Sequence, residues 1–136
     1  MLFYDGKINV KEYNPLALAY IGDTVYDLFV RTKILAKGNR HVTQMHKDAV
    51  NFVKARSQAV SAHALEAFLT DEETRILKWG RNAKSNSVPK HADVLDYRTA
   101  TGFETLLGYL YLDDRTERLK ELMQIAYDEA TKQFEE

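Results

Sequence analysis

Residues 16–27 read LALAYIGDTVYD, and the first seven of them carry no charge. Pro15 can open a helix at its first turn, apolar residues then recur at helical spacing to about Lys37, and Gly38 can end the helix there. The pattern predicts a long apolar helix with one carboxylate, Asp23, near its middle. An ionised aspartate buried among apolar side chains is costly unless something compensates its charge.

Helical periodicity continues through the middle of the chain. Apolar residues keep helical spacing from residue 43 to residue 69, with a break predicted near Ser57. Thr70, followed three residues later by Glu73, forms a capping box, which predicts a shorter helix that stops at Gly80.

The last third of the chain contains one irregular stretch and two further helices. Residues 80–90, GRNAKSNSVPK, are rich in Gly, Asn and Ser, which predicts the main loop. A helix is expected over residues 96–112, and a second capping box, Asp114 with Glu117, predicts a final helix ending near residue 134. No stretch alternates like a half-buried strand, so the predicted fold is all-α.

Length and composition predict one domain over residues 1–136. The chain has 136 residues, of which 45% are hydrophobic, enough to bury one core. It has no cysteine, so no disulfide requires an oxidising compartment. Neither a signal peptide nor a membrane span is apparent in the sequence, and we expect a cytoplasmic protein.

The charges are unevenly distributed. Residues 1–30 carry two basic and four acidic side chains, residues 31–90 carry twelve and five, and residues 91–136 carry five and eleven. The near-neutral chain therefore contains a middle segment of +7. Such a segment indicates either a face for a polyanion or a solvated helical surface, and charge alone does not decide between them.

A second carboxylate repeats the situation of Asp23. Residues 103–112 read FETLLGYLYL, in which Glu104 is the only charged side chain. If the two helices pack side by side, Asp23 and Glu104 can converge on an oxygen-rich site of the kind that Mg²⁺ prefers. The alternative is that Asp23 lies on a solvated stripe or caps a neighbouring helix, and spacing does not decide.

These two segments resemble a known family. YIGDTVYD with Asp23 and TGFETLLGYLYLD with Glu104 resemble the two carboxylate motifs of the ribonuclease III catalytic domain. Three further segments look like the compact branch, Mini-ribonuclease III, which consists of the catalytic domain alone: RSQA at 56–59, GRNAKS at 80–85 and PKHADV at 89–94. The resemblance covers most of the chain and implies no separate double-stranded RNA-binding domain.

The resemblance implies fold, activity and partners. It implies the helical ribonuclease III fold as a symmetric homodimer, with Tyr20 at the interface. It implies a catalytic, metal-binding pair of Asp23 and Glu104, with Mg²⁺ as cofactor and Mn²⁺ as a substitute. The implied substrate is double-stranded RNA, namely precursor large-subunit (23S) ribosomal RNA, cut to 5′-phosphate and 3′-hydroxyl ends, with ribosomal proteins as further partners.

The chain departs from ordinary ribonuclease III at three positions. Leu16 and Ala19 stand where the usual signature has glutamates, and Thr101 stands where it has an aspartate. Only Asp23 and Glu104 of the usual carboxylates remain. This reduction is similar to the compact branch and indicates a subtype rather than lost activity.

Three other aspartates are weaker candidates for the metal. Asp93 and Asp96 precede the Glu104 helix and could supply a further ligand or accept a hydrogen bond from a ligand water. They could equally cap that helix. Asp27 lies one turn after Asp23 and could instead pair with Arg31 at i+4.

The basic stretch from residue 75 to residue 90 contains no acidic side chain. Duplex RNA is read mainly through phosphate, sugar and shape, which suits such a stretch. Trp79 is predicted to anchor the core, because duplex bases are already stacked. A non-catalytic RNA-binding module in ribosome assembly is the alternative function. The candidate RNA contacts are Lys78, Arg81, Asn82, Lys84, Ser85 and Lys90.

Overall fold

The fold is an assembly of six α-helices. A computed structural model describes residues 1–83 and 93–134, and these contain no strand, which confirms the all-α prediction. Short 3₁₀ turns span Val10–Glu12 and Glu66–Phe68. The α-helices are α1 Pro15–Ala36, α2 Val42–Val53, α3 Ala55–Leu65, α4 Asp71–Arg81, α5 Val94–Leu112 and α6 Thr116–Phe134.

Helix α5 lies at the centre of the fold. Helices α1, α3, α4 and α6 all pack against it, and each of the residues from 105 to 110 is buried. None of the helices in the described ranges is both long and apolar enough to cross a membrane.

Helices α1 and α5 touch backbone to backbone. A Cβ added at Gly22 would lie 1.8 Å from the carbonyl oxygen of Glu104, and one added at Gly108 would lie 1.9 Å from that of Leu18. Because neither glycine has a side chain, the two helices can cross at this distance. The crossing places Asp23, the residue after Gly22, beside the turn that carries Glu104.

Helices α4 and α5 make a similar close contact. A Cβ at Gly80 would lie 2.3 Å from Oγ1 of Thr105, and a Cβ at Gly102 would lie 2.5 Å from the carbonyl oxygen of Leu77. The prediction that Gly80 ends its helix was wrong, since α4 continues to Arg81. Gly80 serves helix packing and not helix termination.

Most of the predicted helix ends are confirmed. Helix α1 begins at Pro15, as predicted. The residue before it, Asn14, caps the helix: its side chain accepts from the backbone N–H of Ala17 at 2.9 Å. Gly38 follows the end of α1 with a φ of 141°, the region that favours glycine. The Thr70–Glu73 capping box is present in full.

The break in the second helical stretch lies earlier than predicted. Lys54, with a φ of −66° and a ψ of 152°, separates α2 from α3. The hydroxyl of Ser57, where the break was expected, instead donates to the carbonyl of Asn51 across the junction. This hydrogen bond ties the start of α3 to the end of α2.

The predicted capping box of α6 was wrong. Asp114 has a φ of 58° and belongs to the end of α5, where the N–H of Arg115 donates to the carbonyl of Leu110 at 2.9 Å. This is the bonding pattern of a left-handed helix end, which aspartate tolerates better than most residues. Helix α6 begins at Thr116.

Glu73 forms a buried ion pair that joins α4 to α6. Its carboxylate is 2% exposed and accepts from Nε and Nη2 of Arg118 at 2.8 and 2.7 Å. The same Nη2 donates to the carbonyl of Phe68 at 2.7 Å. The hydrogen bond from Arg118 is the main reason why the pKa of Glu73 lies below its ordinary value.

Replacing Arg118 should destabilise the fold strongly. Arg118→Met leaves the Glu73 charge buried without its counter-charge, so we expect a loss of about 3 kcal/mol or more in the free energy of unfolding at pH 7. Because the pKa of Glu73 is lowered in the folded state, the pair stabilises the protein above the ordinary glutamate pKa. The stabilisation fades as the pH falls through the lowered value.

Urea unfolding of Arg118→Met between pH 3 and pH 7 measures this effect. Lys120→Met, on the same helix with a 63% exposed side chain, is the matched control. Equal losses in the two variants at pH 7 would show that the Glu73 pair contributes no more than a surface ion pair.

Candidate active site

Asp23 and Glu104 meet in a cleft between α1 and α5. The cleft has a volume of about 190 Å³, and the two carboxyl groups lie within hydrogen-bonding distance of each other. Sequence spacing did not decide whether Asp23 and Glu104 lie together. The close crossing of α1 and α5 at their glycines brings them together. The other lining residues are Leu16, Ala19, Tyr20, Tyr97 and Thr101.

The two acids differ in exposure. Asp23 is exposed to solvent, and Glu104 is half-buried. The expectation that Asp23 is buried among apolar side chains was wrong, because α1 is apolar on two sides and only one side faces the core. Leu16 and Tyr20, on the side of Asp23, are 37% and 81% exposed.

Glu104 lies in an environment that opposes its ionisation. Burial, followed by the hydrogen bond with Asp23 and the charge of Asp23, raises the pKa of Glu104 to about 9. In the absence of a cation, the Glu104 carboxyl therefore keeps its proton at neutral pH. A bound cation would compensate both negative charges and favour the ionised form of Glu104.

Gln58 is a third side chain at the pair. It lies on α3, is 2% exposed, and its amide donates a hydrogen bond to Glu104, which opposes the rise of the Glu104 pKa. The sequence reasoning quoted RSQA at 56–59 only as a family-like segment and missed this contact. No local pattern in the sequence indicates this contact, because α3 also carries Arg56, Ser57, Ser61 and His63.

Two of the three weaker metal candidates, Asp93 and Asp27, have other side-chain partners in the structure, and Asp96 is half-buried in the first turn of α5. The Asp93 side chain caps α5 by accepting from the backbone N–H of Asp96 at 3.0 Å, as the alternative interpretation held. Asp27 pairs with Arg31 at 3.1 Å, which was also the alternative. In the described ranges, no third Asp, Glu or His completes a metal-binding group with Asp23 and Glu104. Any contact of these aspartates with a metal stays a prediction.

Part of the basic stretch lies where the end of α4 packs against α5. Arg81 ends α4, and its Cβ is 3.2 Å from the position of a Cβ at Gly102, two residues before Glu104. Lys78 and Asn82 are exposed on the same end of α4. Trp79 was expected in the core, but it lies on the surface of α4 and is 45% exposed, so that prediction was wrong. The candidates Lys84, Ser85 and Lys90 lie outside the described residues.

Comparison with known proteins identifies the class. The ribonuclease III domain family matches residues 16–115, a span that includes both carboxylates and the helices that carry them. The chain therefore belongs to the ribonuclease III family, and it is an endoribonuclease that acts on RNA.

Curated relatives narrow the family to its Mini-ribonuclease 3 branch. The chain is 46% identical over 129 residues to the Mini-ribonuclease 3 of Clostridium tetani, covering 92% of this chain and 85% of the relative. It is 49% identical over 120 residues to that of Thermoanaerobacter sp. (strain X514), covering 88% and 84%. The fold is also similar to a crystal structure of a Fusobacterium nucleatum protein. That match has a TM-score of 0.78 and 26% identity, and it covers 90% of this chain and 98% of the other.

Replacing the Glu104 carboxyl by a neutral amide should stabilise the metal-free protein. Because the folded pKa of Glu104 is raised, the folded state loses stability as the pH rises from the ordinary glutamate value towards about 9. Glu104→Gln stays neutral and avoids this loss. We expect the variant to exceed the wild type by about 1–3 kcal/mol at pH 8 and to match it near pH 4.

Thermal or urea unfolding in EDTA across that pH range tests the expectation. Glu117→Gln, a fully solvated glutamate with 89% side-chain exposure, controls for the general effect of charge. If the difference in unfolding free energy between Glu104→Gln and the wild type does not grow with pH, the pKa of Glu104 is not raised in the folded protein.

Proposed function

We propose that the chain hydrolyses phosphodiester bonds in double-stranded RNA with Mg²⁺ held by Asp23 and Glu104, Mn²⁺ being able to substitute. The observation that supports this most is the contact between the two carboxyl groups in an open cleft. Two acids at this distance repel each other when ionised, and a divalent cation removes the repulsion.

The donor set fits Mg²⁺. Both side chains offer hard oxygen ligands, and Mg²⁺ is commonly held by one or two carboxylates with waters in the remaining positions. When bound, Mg²⁺ supplies Lewis acidity, which activates a water and stabilises charge on the phosphoryl oxygens. Exposed Asp23 lies on the side from which RNA can approach, and half-buried Glu104 is anchored in the central helix.

Basic and polar residues at the end of α4 are proposed to hold the RNA backbone. Lys78, Arg81 and Asn82 lie at the end of α4 that packs against the Glu104 helix. Lysine and arginine suit phosphates, and an amide suits ribose hydroxyls. Lys84, Ser85 and Lys90 are proposed to extend this contact. Binding would then depend on duplex shape rather than on base sequence.

A symmetric homodimer is proposed from the exposed apolar side of α1. Tyr20 is 81% and Leu28 60% exposed, and next to them a groove of about 430 Å³ is lined in part by Leu2 and Phe3. Large contiguous apolar patches on soluble proteins usually mark interaction sites. A two-fold pairing through Tyr20 would supply one acid pair per RNA strand. A sedimenting monomer that cleaves both strands would contradict this arrangement.

The cellular substrate and setting are proposed from the family. The Mini-ribonuclease III branch implies cleavage of precursor 23S ribosomal RNA in the duplex formed by its paired ends, in the cytoplasm and with ribosomal proteins nearby. A single domain over residues 1–136 stays a prediction. A non-cleaving RNA-binding module is less favoured, because a protein that only binds RNA gains nothing from two adjacent acids near phosphate.

Replacing Asp23 should abolish cleavage while leaving the fold intact. Asp23 is exposed, so Asp23→Asn costs little stability but removes a charged ligand, and we expect about 100-fold or greater loss of Mg²⁺-dependent cleavage of an end-labelled RNA duplex. Asp128→Asn, an exposed aspartate on α6 that accepts from Gln124, is the matched control. Duplex binding without cleavage by the wild type would support the RNA-binding module instead.

Replacing the basic residues of α4 should change the salt dependence of binding. If Lys78 and Arg81 each neutralise a phosphate, Lys78→Ala with Arg81→Ala should lower the slope of log K against log salt by about 2 for duplex RNA. Equilibrium binding measured from 50 to 200 mM salt tests this, with Lys120→Ala on α6 as control. An unchanged slope would remove these residues from the interface.

A further inference from the structure

We infer that Gln58 is a positioning residue that holds Glu104 in the orientation needed to bind the metal. The inference rests on the proposed metal-dependent cleavage and adds a third helix to the site. Gln58 lies in the first turns of α3 and is 2% exposed. Its amide donates to the Glu104 carboxylate on α5.

A buried amide at this position requires a reason. Burying an amide without a hydrogen bond costs about 1–3 kcal/mol, and an unbranched apolar side chain would fill similar space without that cost. Other buried polar groups link elements of the fold. The Ser57 hydroxyl donates to the carbonyl of Asn51, and the Ser61 hydroxyl donates to that of Ala126 on α6 at 3.1 Å. The Gln58 bond instead ends on a candidate metal ligand.

The backbone fixes the place from which Gln58 reaches the site. Its N–H donates to the carbonyl of Lys54, the residue at the break between α2 and α3, at 3.0 Å. The neighbouring Ser57 bond spans the same break. The start of α3 is therefore held to the end of α2 at Ser57 and at Gln58 itself, and the buried Gln58 side chain leaves the helix from a fixed position.

One donor on Glu104 has a defined chemical effect. An ionised carboxylate has two oxygens and about four acceptor positions, so a bond from Gln58 leaves positions free for a cation. It also restricts rotation of the carboxylate. Partners of this kind typically contribute 10–100-fold to metal affinity.

The inference is tested by removing the amide while keeping the side-chain length. Gln58→Met should weaken Mn²⁺ binding about 10-fold or more, measured from the EPR signal of free Mn²⁺. The Mg²⁺ concentration for half-maximal duplex cleavage should rise by a similar factor. Cleavage at saturating Mg²⁺ should stay within about threefold of the wild type. Ser61→Ala, also buried on α3 but bonded to α6, is the matched control.

The outcomes separate this inference from the proposed function. A wild type that cleaves duplex RNA without a divalent cation, or not at all, contradicts the proposed function and the inference with it. A wild type that needs Mg²⁺, together with Gln58→Met of unchanged Mn²⁺ and Mg²⁺ dependence, overturns the Gln58 role alone.

A purely structural role for Gln58 has its own signature. In that case activity would fall at every Mg²⁺ concentration in proportion to the folded fraction seen by circular dichroism, and this result would overturn the inference. Gln58→Leu removes the same amide with a different shape and replaces Gln58→Met if the latter does not fold. The same shift in metal dependence is expected from it.

Discussion

The crossing of α1 and α5 at Gly22 and Gly108 is the contact on which the rest of the structure depends. A side chain at either glycine would enter the backbone of the opposite helix, at 1.8 Å from the carbonyl oxygen of Glu104 or 1.9 Å from that of Leu18. Separation of the helices would move Asp23 away from Glu104. Helix packing and the distance between the two acids are therefore set by the same pair of glycines.

The crossing also gives the two acids different surroundings. Helix α5 is covered by four other helices, so Glu104 is anchored in the most constrained part of the fold. Asp23 extends from the outer side of α1 into an open cleft. One acid is thus held by packing in the centre of the fold, while the other remains open to solvent. Such a division suits a site that must keep its geometry and still admit a bulky polymer.

The sequence predicted those features that depend on local chemistry. Pro15, Gly38 and the Thr70–Glu73 box mark helix ends, and their roles follow from backbone rules that operate within a few residues. The candidate acids were also found, because a lone charge in an apolar helix is conspicuous. Residue identity together with spacing was sufficient in these cases.

The sequence did not predict features that depend on which surface covers a residue. Apolar periodicity does not distinguish a helix face buried by the core from one left exposed, so the exposure of Asp23 and Trp79 was mispredicted. Gln58 contacts Glu104 from a segment 46 positions away, and no local pattern indicates such a contact. Asp114 was assigned to the start of α6, because a capping pattern does not reveal a left-handed backbone.

The same glycine crossing imposes an order on biosynthesis. Helix α1 ends at Ala36, but its partner α5 is complete only at Leu112. At roughly 5–20 residues per second, translation of the intervening chain takes on the order of several seconds. During that time α1, apolar on two sides, has no α5 to cover it. The nascent chain must therefore shield this helix from aggregation before the partner helix leaves the ribosome.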